Sequence, residues 1–243
     1  MTSRSSPHFQ TTAWSVVRAA QDHDGAESWE AMNRCIAAYW KPVFYFLRAK
    51  GYPLHRAEDL TQEFFLQFFQ RDWIRRADQQ RGRFRTFLLT ILTRFLADQS
   101  AARAPRQQSF ETRLVAISAL VGDSERTFEP ADDRTPEDWF MHQWALAVIA
   151  NVRRHLETWC SLRGRPDWYR MFCDTYLRDP GSPRITQQAL ADRLRVSRDQ
   201  VRYGLEEAHR QFVEFLRAEV FEQVGPDGDL DAEIRELETL LGD

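Results

Sequence analysis

Lysine is almost absent from this chain: of its 33 basic residues only Lys41 and Lys50 are lysines, and the rest are arginines. GC-rich coding produces that skew as readily as a need for bidentate anion contacts, so it assigns no function. Cysteine is scarce as well. Cys35, Cys160 and Cys173 form an odd, widely spaced set without a C-x-x-C pair, which suggests neither a disulfide framework nor a zinc site. No stretch reaches the roughly 18 apolar residues of a membrane span, and Met1 to Gln10 lack the apolar core of a signal peptide. A cytoplasmic protein with no membrane span is expected. There is no glycine-rich phosphate loop, no H-E-x-x-H and no G-x-S-x-G, so neither turnover nor a cofactor is expected. His155 and Cys160 stand five apart on a predicted helix and do not align. Basic excess is missing too: the formal net charge is −3 and the pI about 6.1, so any nucleic-acid contact has to be local.

What the chain does have is ample core-forming material, with 43% hydrophobic and 13% aromatic residues in 243. Apolar residues recur at three- and four-residue steps from Thr12 to Phe69, interrupted at Gly51-Tyr52-Pro53. The spacing predicts a helix from about His55 to Gln70 and another from about Phe84 to Ala102, the latter carrying Phe87, Leu88, Ile91, Leu92 and Phe95. No run alternates with period two for long enough to form a strand. Between Pro105 and Pro136 the composition turns to Gln, Ser, Thr, Asp and Pro, with a short apolar patch at Leu114 to Val121. A second helical block opens at Thr135-Pro136-Glu137, with Thr as N-cap and Pro as first helical residue. The expected fold is all-α, with two helical domains joined by a polar linker: residues 1–105, a linker 106–135, a second domain 136–222 and an acidic tail 223–243.

Two segments suit nucleic acid. In Thr186 to Tyr203 a short helix, Gln187 to Leu194, is followed by a three-residue turn and by Ser197, which can cap a second helix with Gln200 closing a capping box. That is the pattern of a helix-turn-helix, whose second helix presents its N-terminal residues to the major groove. Ser197, Arg198, Gln200, Arg202 and Tyr203 are the candidates. From Asp192 to Glu219 acidic and basic residues are equal in number, and Glu206 and Glu207 follow the candidate contacts directly, which predicts weak intrinsic affinity. The other segment, Arg81 to Arg106, holds six arginines against one aspartate. Arginines interleaved with aromatics suit a single strand, but the helical spacing of Phe84, Phe87 and Phe95 favours core packing for those rings.

Three separated stretches resemble the extracytoplasmic-function sigma factors. Trp14 to Ala20 followed by Cys35 to Phe44 is similar to the opening helices of sigma region 2. Ala57-Glu58-Asp59-Leu60-Thr61-Gln62-Glu63-Phe64-Phe65 is similar to the family helix that docks on the clamp helices of the largest polymerase subunit. Gly82 to Asp98 is similar to the helix that melts and reads the minus-ten element. The resemblance implies Asp59, Gln62, Glu63 and Phe64 as polymerase contacts, Arg83, Arg85, Arg94, Asp98 and Arg103 beside the minus-ten strand, and the helix-turn-helix as region 4, the reader of the minus-thirty-five element. The tryptophan-rich helices and the long linker resemble a planctomycete-like subgroup. The chain departs from the family pattern at Arg94, where asparagine is usual, at Ala101 and Ala102, and at Gly204, Glu206 and Glu207.

The implied partners are bacterial RNA polymerase core enzyme, promoter DNA and an anti-sigma or other regulatory protein. The alternatives are a helix-turn-helix regulator acting without polymerase, and a sigma-fold interaction protein that has lost promoter recognition. The tail has Leu230, Ile234, Leu237, Leu240 and Leu241 at helical spacing among many acids. Two readings of it stand: a terminal helix packed on the second domain, or a cover for the helix-turn-helix face.

Overall fold

A computed structural model describes residues 14–22, 26–101, 128–129, 134–177, 183–224 and 228–242. The fold is all-α, and no strand occurs among the described residues. The helices are α1 (Trp14–Gln21), α2 (Ala26–Ala49), α3 (Leu54–Gln70), α4 (Phe84–Ala101), α5 (Pro136–Leu162), α6 (Pro166–Tyr176), α7 (Gln187–Leu194), α8 (Arg198–Val224) and α9 (Leu230–Gly242). Two short 3-10 turns, Trp73–Arg76 and Gln79–Arg81, connect α3 to α4. None of these helices is long and apolar enough to cross a membrane. Arg103 and the apolar patch at 114–121 lie outside the described residues.

The chain divides into two compact units: one holds the described residues of 148–219, the other those of 9–147 and 220–243. The division falls inside α5, and the acidic tail groups with the N-terminal unit. A helix's apolar period shows that one face is buried but not which module buries each of its halves.

The N-terminal unit is built on aromatic rings. Trp14, Val16, Val17 and Ala20 of α1 are buried, as are Ile36, Tyr39, Val43, Phe44 and Leu47 of α2. Phe64 and Phe68 of α3 lie 5.7 Å apart, and Phe64 meets Phe95 of α4 edge-on at 5.6 Å. Phe84, the first residue of α4, has its ring 5.5 Å from Tyr39 and 6.0 Å from Trp14. Phe84 and Phe95 are buried and Phe87 is half-buried, so these rings pack as their helical spacing predicts. Gln21 donates from its amide to the carbonyls of Ile74 and Ala77, both at 3.0 Å, which pins the first 3-10 turn to the end of α1. Phe128 seats its ring 4.4 Å from Tyr45 and 4.7 Å from Trp139, while Arg48 donates to its carbonyl at 2.7 Å. The start of α5 is capped as the sequence predicts: the Thr135 hydroxyl accepts from the Asp138 amide at 3.1 Å, and the Asp138 carboxylate accepts from the Thr135 amide at 3.0 Å.

The second unit has two small cores. Met171, Leu190, Ala191, Val201 and Leu205 form one, and Leu156, Cys160, Phe172 and Ala208 the other. Gly164 turns the chain between α5 and α6 at φ +68°, a conformation that side chains disfavour. Asn151 donates to the Glu219 carboxylate at 2.8 Å, so this buried polar pair is matched.

Candidate nucleic-acid interface

Three surfaces carry the residues singled out in the sequence. The first is α3. Its buried stripe, Ala57, Leu60, Thr61, Phe64, Phe65, Phe68 and Phe69, follows the helical period and leaves Asp59 and Gln62 exposed with Glu63 half-buried beside them. Glu63 is held in place: its carboxylate accepts from Gln67 at 2.9 Å and also from Gln99 of α4. Phe64 is fully buried, so it supports the acidic face from beneath and is not itself a surface contact.

The second surface is α4. Arg94 and Asp98 are exposed along its outer face. Arg83 and Arg85, expected beside DNA, are engaged within the protein. Arg83 approaches Glu233 of α9 at 2.6 Å and also pairs with Glu236. Arg85 pairs with Glu233 and with Glu236, the latter at 3.0 Å. The Arg85 guanidinium also lies 3.9 Å from the centre of the Trp144 ring. Burial is uneven: the side chains of Arg85 and Glu233 are 2% and 0% exposed, those of Arg83 and Glu236 37% and 34%. Burial pushes the Glu236 carboxyl up, but the pull of Arg85 and Arg83 more than reverses it and leaves the pKa below the ordinary carboxylate value. Arg85 is thus enclosed by these partners, while Arg83 stays partly open to solvent.

Expected on the second domain or over the helix-turn-helix, the tail packs instead on the arginines at the start of α4, in the N-terminal unit. Glu233 and Glu236, one turn apart on α9, match Arg83 and Arg85, two apart in sequence. That match and the part played by Trp144 escaped the sequence analysis. The usable signal was an E-x-x-E pair on an amphipathic stretch, facing an R-x-R pair far away in the chain.

The third surface is the helix-turn-helix, formed as the sequence predicts. The Thr186 hydroxyl caps α7 by accepting from the Ala189 amide at 3.1 Å, and Arg195 ends that helix in the left-handed region at φ 56°. Ser197 and Gln200 close the capping box, with Ser197 N–H donating to the Gln200 amide oxygen at 2.8 Å and Gln200 N–H to the Ser197 hydroxyl at 3.2 Å. Ser197, Arg198, Gln200, Arg202 and Tyr203 are all exposed. Arg202 leans on Asp199 at 3.4 Å, and the Tyr203 ring rests edge-on against Trp168 at 5.8 Å. Glu207 is partly neutralised by Arg210, and that guanidinium holds it below the ordinary carboxylate range. Gly204 has a packing reason: a Cβ there would fall 2.7 Å from the Trp168 ring and 2.8 Å from the Met171 methyl.

Burial pushes the Cys35 thiol up to about 12 and the Cys160 thiol to about 11, which leaves both as poor nucleophiles. Among the described residues no group of His, Cys, Asp and Glu could hold a metal ion. Compared with known protein families, residues 35–106 match the family described as Sigma-70 region 2. The matched stretch runs from within α2 through α3 and α4, and so contains the acidic face, the arginine pair and the exposed Arg94 and Asp98. No curated protein and no solved structure matches the chain.

Proposed function

We propose that this chain, whose residues 35–106 carry a sigma-70 region 2 module, is a sigma factor of the extracytoplasmic-function type, in the planctomycete-like subgroup. It binds core RNA polymerase, recognises promoter DNA and assists its melting. The region 2 match, which covers the α3 face and the α4 arginines, carries the sigma-factor part of this reading. The acidic face of Asp59, Gln62 and Glu63 supports docking on a basic helical surface of the polymerase, since Glu63 is fixed by two amide donors and Asp59 stands free of the core. Arg94 and Asp98, on the open side of α4, are the residues best placed for the minus-ten strand. Arg83 joins them when its carboxylate partners leave. Capped and exposed, the N-terminus of α8 suits the major groove, with Arg198 and Gln200 as base-edge readers and Arg202 and Tyr203 flanking them.

Run-off transcription with purified core enzyme on the DNA upstream of the chain's own coding sequence tests the proposal. Initiation dependent on the chain is the expected result. A chain that binds that DNA but leaves transcription unchanged would instead be a helix-turn-helix regulator.

A further inference from the structure

Two arginines at the start of α4 are closed over by a helix from the far end of the chain, and the chemistry of that closure is the chemistry of phosphate binding. Guanidinium groups take carboxylates and phosphates in the same forked geometry. Glu233 and Glu236 thus present to Arg83 and Arg85 a pair of anions on one helical face. We propose that α9 is an internal stand-in for nucleic-acid phosphate, and that the backbone of single-stranded DNA binds Arg83 and Arg85 by displacing it. The choice of DNA rests on the sigma-factor reading; the displaceable contact rests on the geometry alone.

Several observations favour displacement over a permanent clasp. Leu237 is the one fully buried apolar side chain of α9, while Leu230, Ile234, Leu240 and Leu241 are half-buried, so charge matching carries much of the attachment. The charge cluster is incompletely hydrogen-bonded: Arg85 Nε is buried without a hydrogen-bond partner, and both Glu233 oxygens sit in ion-pair contact outside hydrogen-bond geometry. Buried pairs of that kind recover little beyond their desolvation cost. A cleft of about 590 Å³, lined by Gln79, Gln80, Gly82, Arg83, Gln223 and Asp229, opens beside the cluster and gives an incoming anion a path to the exposed edge of Arg83. The surrounding sequence fits a long polyanion better than a short acidic peptide. From Arg71 to Arg85 there are six arginines and two aspartates, more positive charge than the two glutamates of α9 cover.

Displacement exchanges one anion for another, so Arg85 never loses its counter-charge. The test uses the wild-type full chain, followed by amide hydrogen exchange with and without saturating oligo-dT. Residues 230–242 should exchange about tenfold faster with DNA bound while α3 is unchanged; protection of α9 that stays the same or rises overturns the proposal. A second arm uses Glu236→Gln, at the half-exposed carboxylate. Its affinity for oligo-dT should rise about tenfold, as for any mutation that raises the population of a binding-competent state. The slope of log affinity against log salt should steepen by about 0.7, one phosphate's worth on a single strand. Adding Arg83→Ala to Glu236→Gln should remove that gain. An unchanged or weaker Glu236→Gln, or no DNA binding by either protein, overturns the idea. Neither arm contains polymerase, so a failure of the sigma-factor reading would appear separately, as absent polymerase binding with the DNA results intact.

Discussion

Replacing Arg85 by methionine tests how much of the N-terminal unit depends on its charge cluster. The substitution keeps the length and apolar body of the side chain and removes the guanidinium that meets Glu233, Glu236 and the face of Trp144. Removing one member of a buried ion pair costs about 3–5 kcal/mol, because the partner is left buried and uncompensated. Glu233 is fully buried but keeps Arg83 at 2.6 Å, which places the loss toward the lower end. A desolvated cation–π contact adds about 2 kcal/mol, and a thioether against the same ring returns about 0.3–1.5 kcal/mol of it. The net expectation is about 3.5–5 kcal/mol. For a unit of this size that is a drop of about 7–20 °C in melting temperature, read by scanning calorimetry on the full chain. Pairing Arg85→Met with Glu233→Leu removes both charges and should cost less than the sum of the single changes by about 2 kcal/mol. A single Arg85→Met loss under about 1 kcal/mol, or strict additivity in the cycle, would refute the reasoning.

Acid should open the same contact. Because the Glu236 pKa is lowered in the folded protein, its contribution is fully present above the ordinary value of 4.5 and is lost as pH falls through the folded value. The stability gap between wild type and Glu236→Gln should therefore be constant from neutral pH to about 4.5 and shrink below it; a gap that widens in acid contradicts this sign. Gly204→Ala gains helix propensity of about 1 kcal/mol, but forces a Cβ to 2.7 Å from the rigid Trp168 indole. It should lower the melting temperature of the helix-turn-helix unit, since overpacking costs about 1–3 kcal/mol, and a rise would show that the α6–α8 contact yields freely. Ser197→Ala removes the acceptor for the Gln200 amide and should cost about 1 kcal/mol in urea unfolding.

Local rules carried the sequence analysis a long way. Capping boxes at Thr135 and Ser197, the α3 limits within a residue and the core role of Phe84 and Phe95 all follow from hydrogen-bond accounting and helical period over a few turns. Long-range matches were not legible. Nothing near Arg85 in sequence shows that residues 151 positions away will enclose it, and nothing in the period of α5 shows that Trp144 faces the first unit's arginines. Phe64 shows the reverse: it lies inside the stretch that resembles the docking helix, and its position among Leu60, Phe65 and Phe68 places it on the core stripe. Gly204 stood out as a departure from the family pattern, and only the packed Trp168 and Met171 explain it.

The central claim is that the acidic face of α3 docks on RNA polymerase. Equilibrium binding of the purified full chain to bacterial core enzyme at low salt, for wild type and for Asp59→Lys with Glu63→Lys, tests it most directly. The account predicts a stable complex with the wild type and loss of at least about a hundredfold in affinity for the charge-reversed chain, since reversal replaces attraction by repulsion at both positions. No complex with the wild type, or equal binding by both chains, would contradict it.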